Sequence, residues 1–329
     1  MTQPDSRRPS RREFVALGAG AFVVAAMPGV LRPKRRLVRR TVPVMGTIAE
    51  IGVIHPDERY AQGAIDAAIA ELRAVDRTMT RFSDHSEVGR ANLEAARRPV
   101  TVSPATAEVV SAGLAWAAAS EGAFDPTLGR LSALWDVGHR SAPPPAADVR
   151  AAASPGLYRR LEVGRRGGDA VLVYHDPAIG LDLGGIAKGY GVDRAVAALR
   201  EWGVRDALVN VGGDLYAMGR SEDGDEWEVG VRDPDDAHRL AATFRISDRA
   251  VATSGDYEQY FDHEGRRYHH LLDPRTGAPR QTPVRSVTVA ADHCITADAA
   301  GTAVFGQDRH GASRVIAAMD RGASLLYIG

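Results

Sequence analysis

Seven short runs rich in β-branched and aromatic residues occupy most of the chain between residues 170 and 291, and they limit how the protein can fold. They read AVLVYHD, DALVNVGGDLYAMG, WEVGVRDP, AATFRI, RAVATSG, RYHHLLD and RSVTVAA. Turn-forming Gly, Asp and Pro residues separate them, and one helical pattern, Ile186 to Trp202, interrupts the series. Strands that cluster with hairpin-type turns, without strict alternation with helices, predict an α+β fold and not a doubly wound sheet.

Strand and helix patterns also fill the rest of the chain. TVPVMGTIAEIGVI predicts a strand that is broken at residues 45–47. Apolar residues at helical spacing predict one helix within residues 61–80 and a second over Ala105 to Ser120. The Pro/Ala-rich segment from Ser141 to Gly156 is interpreted as a surface loop, and a last helix is predicted from Ala297 onward.

The first 40 residues have a different character from the rest of the chain. Arg11 and Arg12 stand just before the apolar run Phe14 to Met27, which is the layout of a twin-arginine export signal. The run is shorter than the roughly 20 apolar residues that a membrane span needs. We therefore expect a twin-arginine signal and basic linker over residues 1–40 and one folded domain over 41–329. We expect export to the periplasm or another extracytoplasmic space, with a membrane anchor if the signal is not cleaved.

Charge, cysteine content and missing motifs exclude several classes of function. Residues 1–40 hold 10 of the Lys and Arg residues, which leaves 31 basic against 40 acidic residues in the body. A negative body argues against nucleic acid as a partner. Cys294 is the single cysteine, so no internal disulfide can form. The dinucleotide, P-loop, zinc-protease and nucleophile-elbow motifs are all missing, which argues against those chemistries.

The stretch IGLDLGGIAKGYGVDRAVAAL runs from a short strand through a Gly-Gly turn into an amphipathic helix. Lys188 stands on the first turn of that helix, and Lys34 is the only other lysine in the chain. Free backbone N–H groups and the helix dipole at such a turn suit a phosphate group. The same glycines could instead serve only the close packing of a strand-to-helix connection, so this segment by itself leaves both interpretations open.

Asp298 and Thr302 lie four residues apart in the run CITADAAGTAVFG. On a helix their side-chain oxygens share one face, one turn apart. A carboxylate with a hydroxyl suits Mg²⁺, which takes few protein ligands and completes its shell with water or phosphate. Asp298 could equally cap a helix N-terminus.

Three further polar stretches punctuated by glycine are candidates for binding loops: GAFDPTLGRL, VATSGDYEQYF and RYHHLLDPRTGAP. Each could also be turn chemistry alone. Together with the two preceding motifs they resemble the ApbE family of FAD:protein FMN transferases. The resemblance covers nearly the whole body, beginning at VMGT and continuing through RFSDHSEVGRAN, LVNVGGDLYAMG and WEVGVRDP to ADAAGTAVF. It implies a two-lobed α+β fold with mixed or antiparallel sheets and flanking helices.

The resemblance also implies a reaction. In the family, Mg²⁺ is required, FAD is cleaved at its pyrophosphate, FMN is joined to a Ser or Thr hydroxyl of a partner protein, and AMP leaves. The acceptor is expected to be another protein, since this chain lacks the family's acceptor sequence, and a membrane-associated electron-transfer subunit is the expected partner. Two alternatives stay open: hydrolysis of FAD to FMN and AMP, and a non-enzymatic periplasmic protein that binds flavin.

Site residues follow from the resemblance, position by position. The residues expected to bind the flavin nucleotide are Met45, Phe82, Ala123, Phe124, Asp125, Asp182, Lys188, Ser254, Gly255, Asp256 and Leu272. Mg²⁺ is expected at Asp298, Thr302 and the backbone oxygen of Gly185. His270 is expected to accept the proton of the attacking hydroxyl, with Asp273 close behind it in the turn. If RYHH is a strand, His269 points to the opposite face.

Two departures from the family pattern concern these positions. Phe82 stands where many relatives have Tyr, which keeps a stacking face and loses a hydroxyl. Gly185 offers no side chain where some relatives have a small hydroxyl residue, so only its backbone could contact a metal.

Overall fold

The computed structural model describes the backbone of residues 22–24 and then residues 35–236 and 238–329. Arg11 and Arg12 lie outside these residues, and Phe22–Val24 is the part of the apolar run Phe14 to Met27 that lies within them. The strands are β1 (Phe22–Val24), β2 (Leu37–Val44), β3 (Thr47–Ile54), β4 (Val100–Val102), β5 (Leu161–Arg166), β6 (Asp169–Tyr174), β7 (Ala207–Val211), β8 (Asp214–Met218), β9 (Trp227–Arg232), β10 (Leu240–Ile246), β11 (Arg249–Gly255), β12 (Tyr260–His263), β13 (Arg266–His269), β14 (Ser286–Ala291) and β15 (Ser324–Ile328). The helices are α1 (Glu58–Met79), α2 (Glu87–Glu94), α3 (Pro104–Ala119), α4 (Gly129–Trp135), α5 (Ala146–Ala152), α6 (Ala187–Glu201), α7 (Cys294–Val304) and α8 (Arg309–Met319).

A seven-stranded antiparallel sheet in the order β15-β14-β11-β8-β7-β3-β2 forms the centre of the fold. Smaller antiparallel sheets are β1-β9-β10, β4-β6-β5 and the hairpin β12-β13. The predicted break at residues 45–47 is confirmed as the turn between β2 and β3. Met45 and Gly46 take φ values of 54° and 69° there, the left-handed conformation of a two-residue hairpin turn.

Both faces of the seven-stranded sheet are buried, as the alternation along its strands shows. In β7, Val209 belongs to the main core while Leu208 belongs to a second apolar cluster on the other face. Helices α1, α6 and α7 pack on the first face. The second cluster is completed by side chains of β9 and β10, including Trp227 and Val229. These helices and antiparallel sheets confirm the predicted α+β class.

The structure corrects two predictions for local elements. The segment Ser141 to Gly156 was predicted as a loop, but it contains α5, which begins directly after Pro145. Proline is tolerated at a helix start because the first amide groups have no partner inside the helix. The helix predicted from Ala297 onward ends at Val304, and the chain closes with α8 and then with β15, which pairs with β14.

The N-terminal boundary of the folded body stays a prediction. Strand β2 begins at Leu37, inside the segment 1–40 that was predicted as signal and linker. Among the described residues, no helix is long and apolar enough to span a membrane.

Candidate active site

One deep cleft of about 920 Å³ lies beside the seven-stranded sheet. The β2–β3 turn, the end of α1, the loops before α4 and α6, and the segment after β13 supply its walls, while α6, α7 and β11 supply its floor. The predicted site residues that line this cleft are Met45, Phe82, Ala123, Phe124, Asp125, Asp182, Gly185, Lys188, Ser254, His270, Leu272, Asp298 and Thr302. Segments spread over more than 250 residues of sequence therefore meet at one cavity.

Lys188 lies at the centre of the cleft floor, on the first turn of α6. Its Nζ donates a hydrogen bond to Oδ2 of Asp214, and it lies 3.9 Å from Oδ1 of Asp298. Glu258, which also lines the cleft, adds a third carboxylate to this charged group. The floor thus holds three acidic side chains around one ammonium group.

The protonation behaviour of this group follows from burial and from like charges. Burial by itself lowers the pKa of Lys188, but the charges of Asp214, Asp298 and Glu258 outweigh burial and raise it above its ordinary value. Burial raises the pKa of Asp214 and of Asp298, and it raises the pKa of Glu258 to about 7. A cation bound here would relieve the repulsion between these carboxylates.

Asp298 joins α7 to the start of α6. Its Oδ2 accepts a hydrogen bond of 2.9 Å from the amide of Gly189, so it satisfies a free N–H in the first turn of α6. The alternative that Asp298 caps its own helix is wrong, because α7 begins at Cys294 after His293 and Asp298 lies inside it. Asp193 makes the reciprocal contact, because its carboxylate accepts from the amides of Cys294 and Ile295 at 2.8 and 2.9 Å. Each helix thus supplies one carboxylate that accepts hydrogen bonds from the first backbone amides of the other helix.

The residues expected to hold Mg²⁺ form a suitable donor set. Asp298 and Thr302 project from the same face of α7, and Thr302 Oγ1 lies 3.4 Å from Ser254 Oγ. Gly185 is so close that a Cβ atom added to it would lie 3.2 Å from Thr302 Oγ1. Within the described residues, no three His, Cys, Asp or Glu side chains come together as metal ligands. A carboxylate and a hydroxyl on one helix face suit a hard cation that takes few protein ligands.

Aromatic and charged side chains form the rim on the side of α1. Phe82 is 77% exposed, and the guanidinium of Arg81 lies 4.2 Å from the centre of its ring. Arg81 Nε also lies 3.1 Å from Oδ2 of Asp182, whose other oxygen accepts from the amide of Gly184. Met45 is also attached to α1, because its backbone N–H donates to Asp76 at 3.1 Å. An exposed ring beside a cleft is available to stack on a planar ligand.

The loop from Ala123 to Asp125 forms a second wall. Ser120 Oγ accepts the amide hydrogen of Phe124 at 2.9 Å, and Asp125 Oδ1 accepts that of Thr127 at 2.9 Å. Asp125 Oδ2 is buried without a hydrogen-bond partner among the described residues, and burial raises the pKa of this carboxyl. The hydrogen bonds from Phe124 and Thr127 fix the conformation of this wall.

The two neighbouring histidines have different environments. His270 lines the cleft half-buried, and its Nδ1 lies 3.3 Å from the carbonyl of Gln259. Its surroundings desolvate the ring and lower the pKa of His270 to about 4, so the imidazole is neutral at pH 7 and can accept a proton. His269 is turned away from the cleft, where Nε2 contacts the carbonyl of Arg280 at 3.0 Å. The two rings point apart, as expected for neighbouring residues of a strand.

Three predicted site residues do not line the cleft. Asp273 accepts the amide hydrogen of Arg275 at 2.8 Å and so closes the turn Asp273 to Gly277. Asp256 is 8% exposed and pairs with Arg285 Nε at 2.6 Å, directly after the end of β11. Gly255 ends β11. These three residues contribute to the loops around the site.

Sequence reasoning missed Arg81, Glu258 and Arg280, which line the cleft, and the buried Asp214, which pairs with Lys188. Glu258 lies inside the quoted run VATSGDYEQYF, and Asp214 lies inside LVNVGGDLYAMG. A charged residue within a strand-like run was the available signal, because such residues are seldom buried unless they are paired. Arg280 follows the turn RTGAP and carried no comparable signal.

Comparison with known proteins identifies the family. A model of the ApbE family matches residues 45–326. A FAD:protein FMN transferase of Klebsiella pneumoniae is 36% identical over 250 residues, which cover 73% of this chain and 76% of that protein. One of Vibrio cholerae is 33% identical over 277 residues, 81% of each chain. The crystal structure of an ApbE protein of Thermotoga maritima matches with a TM-score of 0.78 and 30% identity, over 89% of this chain and 96% of that one. The chain belongs to the ApbE family, and the resemblance seen in the sequence is confirmed.

Proposed function

We propose that this protein transfers FMN from FAD to a Ser or Thr hydroxyl of a partner protein in a reaction that requires Mg²⁺ and releases AMP. The observation that carries the proposal is the cleft itself, which brings Lys188, the pair Asp298 and Thr302, and a neutral His270 to one cavity. The relatives of similar sequence are named for this transfer. FAD is then the substrate, and the acceptor protein is the second partner.

The reaction forms one bond and breaks one. The acceptor oxygen forms a phosphoester bond to the phosphorus of the FMN half, and the bond to the bridging oxygen of the pyrophosphate breaks, so AMP leaves with that electron pair. The hydroxyl proton goes to His270, whose pKa of about 4 keeps the ring unprotonated at neutral pH. His270 has this low pKa in the protein without substrate, and the negative phosphates of bound FAD raise the basicity of a nearby imidazole.

Charge neutralisation at the pyrophosphate is assigned to the cleft floor. Asp298 and Thr302 would hold Mg²⁺ with the backbone of Gly185, and the ion would supply Lewis-acid stabilisation of negative charge on the phosphates. Lys188 contributes a compact positive charge to the same floor. The N-terminus of α6 lies at the cleft, so the positive end of the helix dipole favours anionic groups there.

Stacking and orientation are assigned to the rim. Phe82 offers an exposed aromatic face for a flavin or adenine ring, and Met45, Phe124 and Leu272 add apolar surface. Together these residues place the pyrophosphate over the charged floor.

We also propose export by the twin-arginine route to an extracytoplasmic location, supported by Arg11, Arg12 and the apolar run Phe14 to Met27. A membrane-associated redox subunit is the proposed acceptor because it would face the same compartment.

The decisive experiment incubates residues 35–329 with FAD, MgCl₂ and a protein domain that carries an acceptor threonine. The expected result is a mass gain of the acceptor that matches phosphoester-linked FMN, with release of AMP. EDTA and His270→Ala are each expected to abolish both signals, whereas His269→Gln, which changes the ring that faces away from the cleft, is expected to retain them. Release of AMP without modification of any acceptor would favour FAD hydrolysis. FAD binding without AMP release would favour a flavin-binding accessory protein.

A further inference from the structure

Arg280 is a half-buried arginine that connects three segments of the cleft wall. Its Nη1 donates to the carbonyls of Thr302 and Phe305, each at 2.9 Å, and its Nε donates to that of Leu272 at 3.3 Å. Its Nη2 donates to the carbonyl of Ala123. One side chain thus joins the end of α7, the segment after β13 and the loop before α4, although Ala123 is 157 residues distant in sequence.

The acceptors of Arg280 explain how a guanidinium is stable in this place. The carbonyls of Thr302 and Phe305 are at the C-terminus of α7, where helix carbonyls lack partners and the dipole is negative. Burial lowers the pKa of Arg280 to about 10, which still leaves the group charged at neutral pH. No carboxylate lies within ion-pair distance of it among the described residues, so backbone carbonyls compensate its charge.

The contacts of Arg280 separate it from a residue that serves only to stabilise the fold. Ala123 and Leu272 belong to the wall expected to hold the flavin, and Thr302 belongs to the pair expected to hold Mg²⁺. Because one planar, rigid group bonds to all of these segments, the distance between the flavin wall and the metal-side helix depends on it. Lysine could not replace it, since an ammonium group is a single point and cannot reach acceptors on several sides.

We infer that Arg280 is a positioning residue of the active site, which sets the flavin-binding wall relative to the end of α7 that carries Thr302. This inference rests on the proposed function. It predicts a combined defect: without Arg280, affinity for FAD and affinity for Mg²⁺ fall together, because the two sides of the cleft lose their common bond. A residue that contributed to stability alone would leave both affinities unchanged at temperatures well below the unfolding transition.

The test measures FAD binding by flavin fluorescence and Mg²⁺ binding by the rise in melting temperature, in Arg280→Met and Arg280→Lys. We expect the FAD dissociation constant and the half-saturating Mg²⁺ concentration each to rise at least tenfold in both variants. Trp227→Phe is the matched control, because it removes the buried hydrogen bond from Trp227 Nε1 to the carbonyl of Met218, outside the cleft. It should lower stability and leave both affinities unchanged.

Chemical rescue provides a second readout that does not depend on comparing stabilities. In Arg280→Ala, millimolar guanidinium chloride is expected to recover FAD affinity at least threefold, whereas the same concentration of sodium chloride has no effect. Wild-type affinities in Arg280→Met, or in Arg280→Lys, would overturn the inference. Failure of the wild-type protein to bind FAD would instead overturn the proposed function, and the Mg²⁺ shift in the variants would still test the link from Arg280 to Thr302.

Discussion

Lys188 and Asp214 form an ion pair at the floor of the cleft, between the first turn of α6 and the first residue of β8. Asp214 is 1% exposed, so its carboxylate depends on this partner and not on water. Asp298 and Glu258 add negative charge that the single ammonium group cannot fully balance. The pair therefore compensates part of the buried negative charge, and the remaining negative charge favours a further cation.

Removing the ammonium group should destabilise the protein. In Lys188→Met, the buried carboxylates of Asp214 and Asp298 lose their counter-charge, and we expect the free energy of unfolding to fall by about 3 kcal/mol. MgCl₂ should raise the melting temperature of this variant more than that of the wild type, because the repulsion that a cation relieves is larger. Denaturant unfolding with and without MgCl₂ measures both effects.

The double variant Lys188→Met with Asp214→Asn is the control for that prediction. Neutralising both partners removes the uncompensated charge, so it should be more stable than Lys188→Met alone. A double variant that is no more stable than the single one would show that the pair is not electrostatically coupled.

Thr302→Val tests the hydroxyl of the proposed metal pair. The change preserves shape and removes one oxygen, so we expect the Mg²⁺ concentration for half-maximal activity to rise at least tenfold, about 1.4 kcal/mol of binding free energy. Thr296→Val makes the same change on α7 at a residue that does not line the cleft, and its Mg²⁺ dependence should equal that of the wild type. Equal behaviour of the two variants would argue against Thr302 as a ligand.

The low pKa of His270 predicts a pH dependence of stability. The ordinary pKa of 6.5 falls to about 4 in the folded protein, because desolvation disfavours the imidazolium. Between these values the unfolded chain binds the extra proton, so the free energy of unfolding falls as the pH decreases from 6.5 towards 4. In His270→Asn the difference between melting temperatures at pH 7 and pH 5 should be smaller. His269, whose pKa burial also lowers, retains its own contribution in this variant. An unchanged difference would contradict the prediction.

Phe82 should affect ligand binding without affecting stability. Because its ring is 77% exposed, Phe82→Ala should leave the melting temperature nearly unchanged. Loss of a stacking face is expected to weaken FAD binding about fivefold, or about 1 kcal/mol. Leu93→Ala, at an exposed residue outside the cleft, is the control for removal of surface apolar area. Flavin fluorescence titration of both variants would reveal whether Phe82 contacts the ligand.

Local patterns were sufficient to predict the elements that present the site. The helix expected over Ile186 to Trp202 is observed as Ala187–Glu201, because its glycine-rich start and apolar spacing are local properties. The turn at Met45 and Gly46 was likewise visible, since it interrupts a β-branched run. Terminal β15 was not predicted, because its strand character comes from pairing with β14.

The side chains that complete the site depend on contacts distant in sequence. Asp214 meets Lys188 across 26 residues, and the loop at Ala123 meets Arg280 across 157 residues. Neither contact has a periodic pattern that reveals it. The helix α5 was hidden for a different reason, because the prolines before it suggested a loop although Pro145 stands where a helix can begin.

The reciprocal contacts between α6 and α7 have a consequence for how the enzyme accommodates its substrates. Asp298 binds the amide of Gly189, and Asp193 binds the amides of Cys294 and Ile295, so neither helix start can shift without the other. The charged floor is therefore preorganised, and its dipoles need not reorient when charge develops on the phosphates. The exposed rim around Phe82 is then the part of the site that can change conformation to fit acceptors of different shape. Amide exchange in α7 should accordingly stay slow in free and FAD-loaded protein alike, while protection on FAD binding concentrates around Phe82.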